Sequence, residues 1–156
     1  MADYSSQIFL NEKINLTNTD LKIGVVTALW NSEITGKLKE GAIDTLIAAG
    51  ISKENINIWD VPGSYELIYG ANKLANDGYD AIICLGVVIQ GETRHFDFIC
   101  DAVANGIANV TLKHNIPVAF GLLTTDNQEQ AIERSGGIHG HKGKEAAWTV
   151  LKLLEG

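Results

Sequence analysis

Four short runs of apolar, largely β-branched residues recur along the chain, and each gap between them holds one helical pattern. The runs span residues 22–29, 55–61, 81–89 and 118–124. Their hydrophobicity is nearly continuous, as in Ala81, Ile82 and Ile83 followed by Val87, Val88 and Ile89. Continuous rather than alternating hydrophobicity suits strands covered on both faces. Between them, Ile34, Leu38, Ala42, Leu46 and Ala49 form an i, i+4 stripe that ends at Gly50. A second helix carries Leu67, Ala71, Leu74 and Ala75 and stops near Gly78. A third carries Ile99, Val103, Ile107 and Val110 and ends before Pro117. A short fourth helix is expected after Asp126, capped by that residue with Glu129 three positions on. The last helix holds Ala147, Val150, Leu151 and Leu154, and a weaker strand is possible at 7–10. Strands alternating with helices predict one α/β domain over 1–156: a three-layer sandwich with a parallel sheet and right-handed crossovers. Residues 1–20 would form an N-terminal arm.

Bulk composition narrows the function classes. The 156 residues are 46% hydrophobic, enough for one real core. Lys and Arg number 12 against 19 Asp and Glu, a formal charge of −7. That balance argues against a non-specific nucleic-acid or membrane-surface binder but leaves room for a small anionic substrate held by local donors. Cys84 and Cys100 lie among apolar residues without a CxxC, which reads as two thiols in a reducing compartment. No apolar run approaches bilayer length, and no basic stretch precedes an apolar core and cleavage site. A cytoplasmic location is the expectation.

Ligands of open parallel sheets bind outside the carboxyl ends of the strands. That rule points to four segments: 28–31, 61–66, 86–95 and 120–126. Gly86 to His95 reads GVVIQGETRH, a strand entering Gly91, Glu92 and Thr93 and then a helix. Backbone amides at such a turn, aided by the helix dipole and the Thr93 hydroxyl, make an anion site; the plain alternative is an ordinary turn with Thr93 as cap. His95 falls in the helix's first turn, where the positive helix end disfavours imidazolium and favours a histidine that can take up and return a proton. In Val61-Pro62-Gly63-Ser64-Tyr65-Glu66 the proline and glycine set a tight exit. Ser64, Tyr65 and Glu66 supply donors and acceptors suited to a polyol, although Glu66 equally suits a helix-dipole partner. Trp30, followed by Asn31, can be a stacking platform or can pack under a loop. Phe120, inside a strand, is by position a core residue. Arg134 and Lys142 have the chemistry of phosphate ligands but alone would read as surface cations. His139 and His141, two apart without supporting carboxylates or thiols, do not point to a metal. GxGxxG after a strand, GxxxxGK[ST] and GxSxG are all absent.

Taken together, AxWN at 28–31, EGAIDTL at 40–46, VPGSYEL at 61–67, LGVVIQGETRHFDFI at 85–99, PVAFGLLTTDNQEQAIERSGG at 117–137 and HKGKEAA at 141–147 resemble the lumazine synthase family. The order and spacing of these pieces carry the likeness from about residue 21 to 154. The resemblance implies a flavodoxin-like sandwich assembled as pentamers, often twelve in an icosahedral shell. It implies condensation of 5-amino-6-(D-ribitylamino)uracil with 3,4-dihydroxy-2-butanone 4-phosphate in riboflavin synthesis, with no metal or organic cofactor. By the same resemblance Trp30 stacks on the pyrimidine with Asn31 also binding it, Ser64, Tyr65 and Glu66 hold its ribityl chain, and Val87, Val88 and Ile89 line its pocket. Phe120 matches a pyrimidine-binding aromatic contributed by the neighbouring subunit, so that the active site is shared between subunits. Gly91, Glu92, Thr93, Arg134 and Lys142 fall at the phosphate, and His95 at the proton-transferring histidine. Three positions depart from the pattern: Gln90 where Arg is frequent, Glu92 where a small residue is usual, and His141 where Asn is common. Glu92 is expected to turn its carboxylate to solvent. The short connection between Gly136 and Gly143 favours a shell of sixty over a free pentamer. A non-catalytic flavin carrier and an unrelated phosphosugar enzyme on the same scaffold are the alternatives.

Overall fold

The computed structural model describes residues 12–155. Strand β1 (Ile23–Ala28) leads through helix α1 (Ser32–Ala48) to β2 (Ile56–Val61), and α2 (Leu67–Asn76) leads to β3 (Ala81–Ile89). Helix α3 (His95–His114), β4 (Val118–Thr125), the short α4 (Gln128–Glu133), β5 (Ser135–Gly137), β6 (Gly140–His141) and α5 (Lys142–Glu155) follow. The four main strands pair in parallel in the order β2-β1-β3-β4. The expected strand at 7–10 lies outside the described residues.

Both faces of the sheet are covered, and the pleat decides which side chain goes where. Ile23 and Val25 of β1, with Ile83, Leu85 and Val87 of β3, pack with Leu38, Leu46, Val150 and Leu151 of α1 and α5. Val26, Ile82 and Cys84 face the other way, against Leu67, Ala71, Val103 and Ile107 of α2 and α3. The central strand β1 is buried at all six positions and β3 at its first seven. The edges differ from the expectation of full coverage: Ile58 on β2 and Phe120 on β4 are 49% and 42% exposed. Phe120 is therefore not the core residue its position in a strand suggests. Burial pushes the Cys84 thiol up to about 12, as expected of a thiol whose charged form would lose its hydration. Cys100 is also free and half-buried.

Two local readings need correction. Helix α4 is capped by Asn127, whose side-chain oxygen accepts from the Gln130 amide at 2.9 Å. Asp126 instead donates its backbone N–H to the Gln130 side chain at 2.8 Å, so the capping pair sits one residue later than the sequence suggests. The antiparallel pair β5-β6 was not expected; its three-residue and two-residue strands are too short to leave a periodic signal. Gly136 and Gly140 take φ of 109° and 93°, which gives that hairpin its turn chemistry.

Candidate active site

The strand order reverses between β1 and β3, and a crevice at their carboxyl ends follows from that topology. A cavity of about 450 Å³ opens there. Trp30, Asn31, Ser64, Tyr65, Glu66, Val87, Val88, Ile89, His95 and Ile99 line it, so residues from four separate segments converge on one space.

Each wall has a local cause. Parallel pairing continues past the strand ends, with Leu29 N–H on the Val61 carbonyl at 2.8 Å and Trp30 N–H on Pro62 at 3.1 Å. This fixes Trp30 beside Gly63. The indole lies so close that a Cβ on Gly63 would stand 2.5 Å from the ring, and the ring nevertheless stays 68% exposed. An indole that exposed is not packed under a loop, as the second reading of Trp30 would have it. Asn31 adopts the left-handed conformation, φ 63°, while its carbonyl accepts from the Ile34 and Thr35 amides to start α1. Its side chain makes no capping bond. A non-glycine residue held in that conformation at a cavity wall is the kind of local cost that functional sites retain.

Ser64 and Glu66 each serve the fold as well as the cavity. The Ser64 hydroxyl donates to the Val87 carbonyl at 3.2 Å, tying the second turn to the end of β3. Its oxygen keeps acceptor capacity. Glu66 accepts from the Gly63 amide at 3.0 Å, so the helix-partner reading of Glu66 holds alongside its place in the wall. Tyr65 is 54% exposed. His95 is the first residue of α3, and Ile99, one turn on, shares its face. Ile99 was legible only as part of a hydrophobic stripe, although its i, i+4 relation to His95 was the available signal.

Gly91, Glu92 and Thr93 form the exposed turn between β3 and α3. The Thr93 hydroxyl accepts from the His95 amide at 3.4 Å, the ordinary turn role, and Glu92 is exposed. Nothing in this chain needs a glycine at 91, where an added Cβ would meet open space.

Arg134, Lys142 and Phe120 do not reach this cavity. They line a second one of about 430 Å³, with Leu122, Leu123, Thr124, Thr125 and Gln130, beside the edge strand β4. The Arg134 guanidinium donates to the Gln130 carbonyl at 3.0 Å and lies 3.9 Å from Glu133, which leaves donors over for a ligand. Gln130, which sequence reasoning passed over, donates its backbone amide to the Asn127 cap, accepts from the Asp126 amide with its side chain, and lines this second space. Lys142 is paired with Glu145 at 3.8 Å. His139 lies 3.5 Å from Glu133 and His141 accepts from the Lys144 amide at 3.3 Å, so the two histidines face different partners.

A family model described as 6,7-dimethyl-8-ribityllumazine synthase matches residues 20–156. The chain is 56% identical over 154 residues to the protein of that name from Cytophaga hutchinsonii, covering 98% of this chain and 96% of the relative. The chain belongs to the lumazine synthase family. It is likewise 46% identical to the namesake from Christiangramia forsetii, over 99% of this chain and 94% of the other. A third relative of the same name, from Flavobacterium johnsoniae, is 44% identical over 98% of this chain and 78% of its own length. The parallel α/β sandwich described above agrees with the fold this family has. Among the described residues, no helix is long and apolar enough to cross a membrane. The single chain thus has two separate cavities: one lined by Trp30, Tyr65, Glu66 and His95 among others, and a cationic one with Arg134 and Lys142.

Proposed function

We propose that this protein makes 6,7-dimethyl-8-ribityllumazine from 5-amino-6-(D-ribitylamino)uracil and 3,4-dihydroxy-2-butanone 4-phosphate. The observation that carries the reading is the cavity shared by Trp30, Asn31, Ser64, Tyr65, Glu66, Val87, Val88, Ile89 and His95. A flat pyrimidine against the exposed indole, with its ribityl hydroxyls toward Glu66 and the backbone around Ser64 and Tyr65, uses each of these groups in its natural chemistry. Val87, Val88 and Ile89 supply the apolar floor.

In this reading the substrate amine adds to the ketone and water leaves to give an imine. Phosphate is then eliminated as a proton departs the adjacent carbon, the second nitrogen closes the ring, and a further water is lost. The substrates are reactive by themselves, so the protein mainly orients them and moves protons; orientation alone can contribute several kcal/mol, up to about 7–11 in well-aligned intramolecular cases. His95 carries the protons. Arg134, Lys142 and the amides of Gly91, Glu92 and Thr93 hold the phosphate.

The separation of the two cavities supports a site completed between copies of the chain. A head-to-tail contact that sets the Phe120, Arg134 and Lys142 wall of one subunit against the Trp30 cavity of the next would join them. Such heterologous contacts close into rings when the rotation between neighbours divides a full turn. The family resemblance gives the ring five members, and the short hairpin between Gly136 and Gly143 favours twelve such rings in a shell of sixty. Phe98, Leu112 and Phe120, respectively 66%, 81% and 42% exposed, are apolar surface of the sort that interfaces cover.

Mixing the two substrates with the protein and following lumazine absorbance and fluorescence tests the activity. Product formation above the spontaneous rate is expected. Flavin or lumazine binding without turnover would mark a carrier instead.

A further inference from the structure

His141 occupies a position that neither the pyrimidine cavity nor the phosphate cavity uses. It directly precedes α5, and its Nδ1 accepts from the amide of Lys144, three residues on, at 3.3 Å. That is the geometry of an N-terminal helix cap, with a ring nitrogen in place of the usual carboxamide or hydroxyl oxygen. Only a neutral imidazole can accept there, so its proton sits on Nε2. The ring is also wedged against α1. The space a Cβ on Gly41 would take is filled by the imidazole, and a Cβ on Gly136 of β5 would lie 3.2 Å from it. One side chain therefore clamps the β5-β6 hairpin between α1 and α5.

That hairpin sets the cationic wall. His141 pairs across from Ser135, and the Lys142 N–H donates to the Arg134 carbonyl at 2.9 Å. Arg134 and Lys142 thus stand opposite one another at the base of the hairpin, one step from the clamp. We propose that His141 is a positioning residue for phosphate binding: its neutral ring caps α5 and seats the hairpin, and its protonation releases the Arg134–Lys142 pair. The proposal rests on the reading of that pair as the phosphate site.

The charged groups around the ring do not all pull one way. Burial and the Lys144 cation hold the imidazole below its ordinary value of 6.5, while backbone hydrogen bonding at His141 and Lys37 and the Glu145 carboxylate oppose that shift. From α1, Lys37, Glu40 and Asp44 share the surrounding cavity. From the hairpin side, His139 is turned to Glu133. With the folded value depressed, the unfolded chain binds more protons in this range. The clamp's contribution is therefore present above the ordinary histidine value and is lost as pH falls through the depressed one.

The test compares the parent with His141→Asn and His141→Ala in the assembled protein. Asparagine caps a helix without titrating, so it separates capping from charge. Between about pH 8 and the most acid pH at which the assembly stays intact, KM for the keto-phosphate should rise about five-fold more in the parent than in His141→Asn, the ratio expected from losing one cap. Comparison with the asparagine variant removes the titration of the phosphate itself, which falls near pH 6. His141→Ala should bind the keto-phosphate poorly at both pH values. In parallel, exchange of the Lys144 amide should be faster in the parent than in His141→Asn at the acid pH, and equal at the alkaline one. Identical KM profiles and identical exchange in parent and asparagine variant would overturn the proposal. If no lumazine forms at either pH, the phosphate-site reading itself has failed, and the exchange comparison alone decides whether His141 is a titrating cap.

Discussion

Replacing His95 with alanine should lower turnover roughly 10- to 10⁴-fold, the upper part of that range being usual for a general acid–base group. The imidazole stands at the first residue of α3 and lines the same cavity as the Trp30 indole. In the proposed reading it meets a substrate nitrogen or carbon held against that indole. The reaction needs a proton moved at imine formation, at phosphate departure and at the final loss of water, so one shuttle serves several steps. Removing it should depress turnover with little change in KM for either substrate, because the role proposed for His95 is chemistry rather than affinity. Folding should survive, since the ring is exposed and the described contacts of this residue run through its backbone amide to Thr93. Single-turnover kinetics with both substrates saturating would read the effect. An unchanged rate would take the proton transfer away from His95.

Arg134→Ala should act on the other half of the site, raising KM for the keto-phosphate about 10- to 100-fold, the range of a lost charge-assisted hydrogen bond. The pyrimidine KM should move much less. The reason is spatial: Arg134 lines the cavity with Phe120 and Lys142, while the other groups proposed for the pyrimidine line the Trp30 cavity. Arg134→Lys should recover only part of the loss, since an ammonium keeps the charge but not the planar fork. A variant that weakened pyrimidine binding more than keto-phosphate binding would reassign the residue.

Much of this organisation could be read from the chain. Continuous apolar runs predicted β1 and β3 because both are buried from two sides, which leaves no polar alternation to confuse the pattern. The rule that ligands gather at the carboxyl ends of parallel strands selected Trp30, Ser64, Glu66 and His95 before any geometry was known. Other features left weaker traces. Phe120 sits on an edge strand, and position within a strand does not say whether a face is covered, so it looked like core. The cap of α4 slipped from Asp126 to Asn127 because adjacent Asp and Asn are equally good caps and only the fold selects between them. The β5-β6 hairpin was invisible because five strand residues carry no period. With it went the roles of Gln130 and His141, whose partners are fixed by that hairpin and by α4 rather than by sequence spacing alone. That Arg134 and Lys142 lie in a different cavity from Trp30 could not be read from residue types, because it depends on how the chain packs around the edge strand β4.

That division is the centre of the account, and co-assembly of two damaged chains tests it directly. The His95→Ala and Arg134→Ala variants would be unfolded, mixed in equal amounts and refolded together, then assayed at low keto-phosphate. If each site joins the Trp30 cavity of one subunit to the Arg134 wall of its neighbour, random mixing restores both groups in about a quarter of sites. Activity should then rise well above that of either variant refolded alone. If the mixture stays at the mean of the two separate variants, each chain holds its own complete site and the shared-pocket account is wrong.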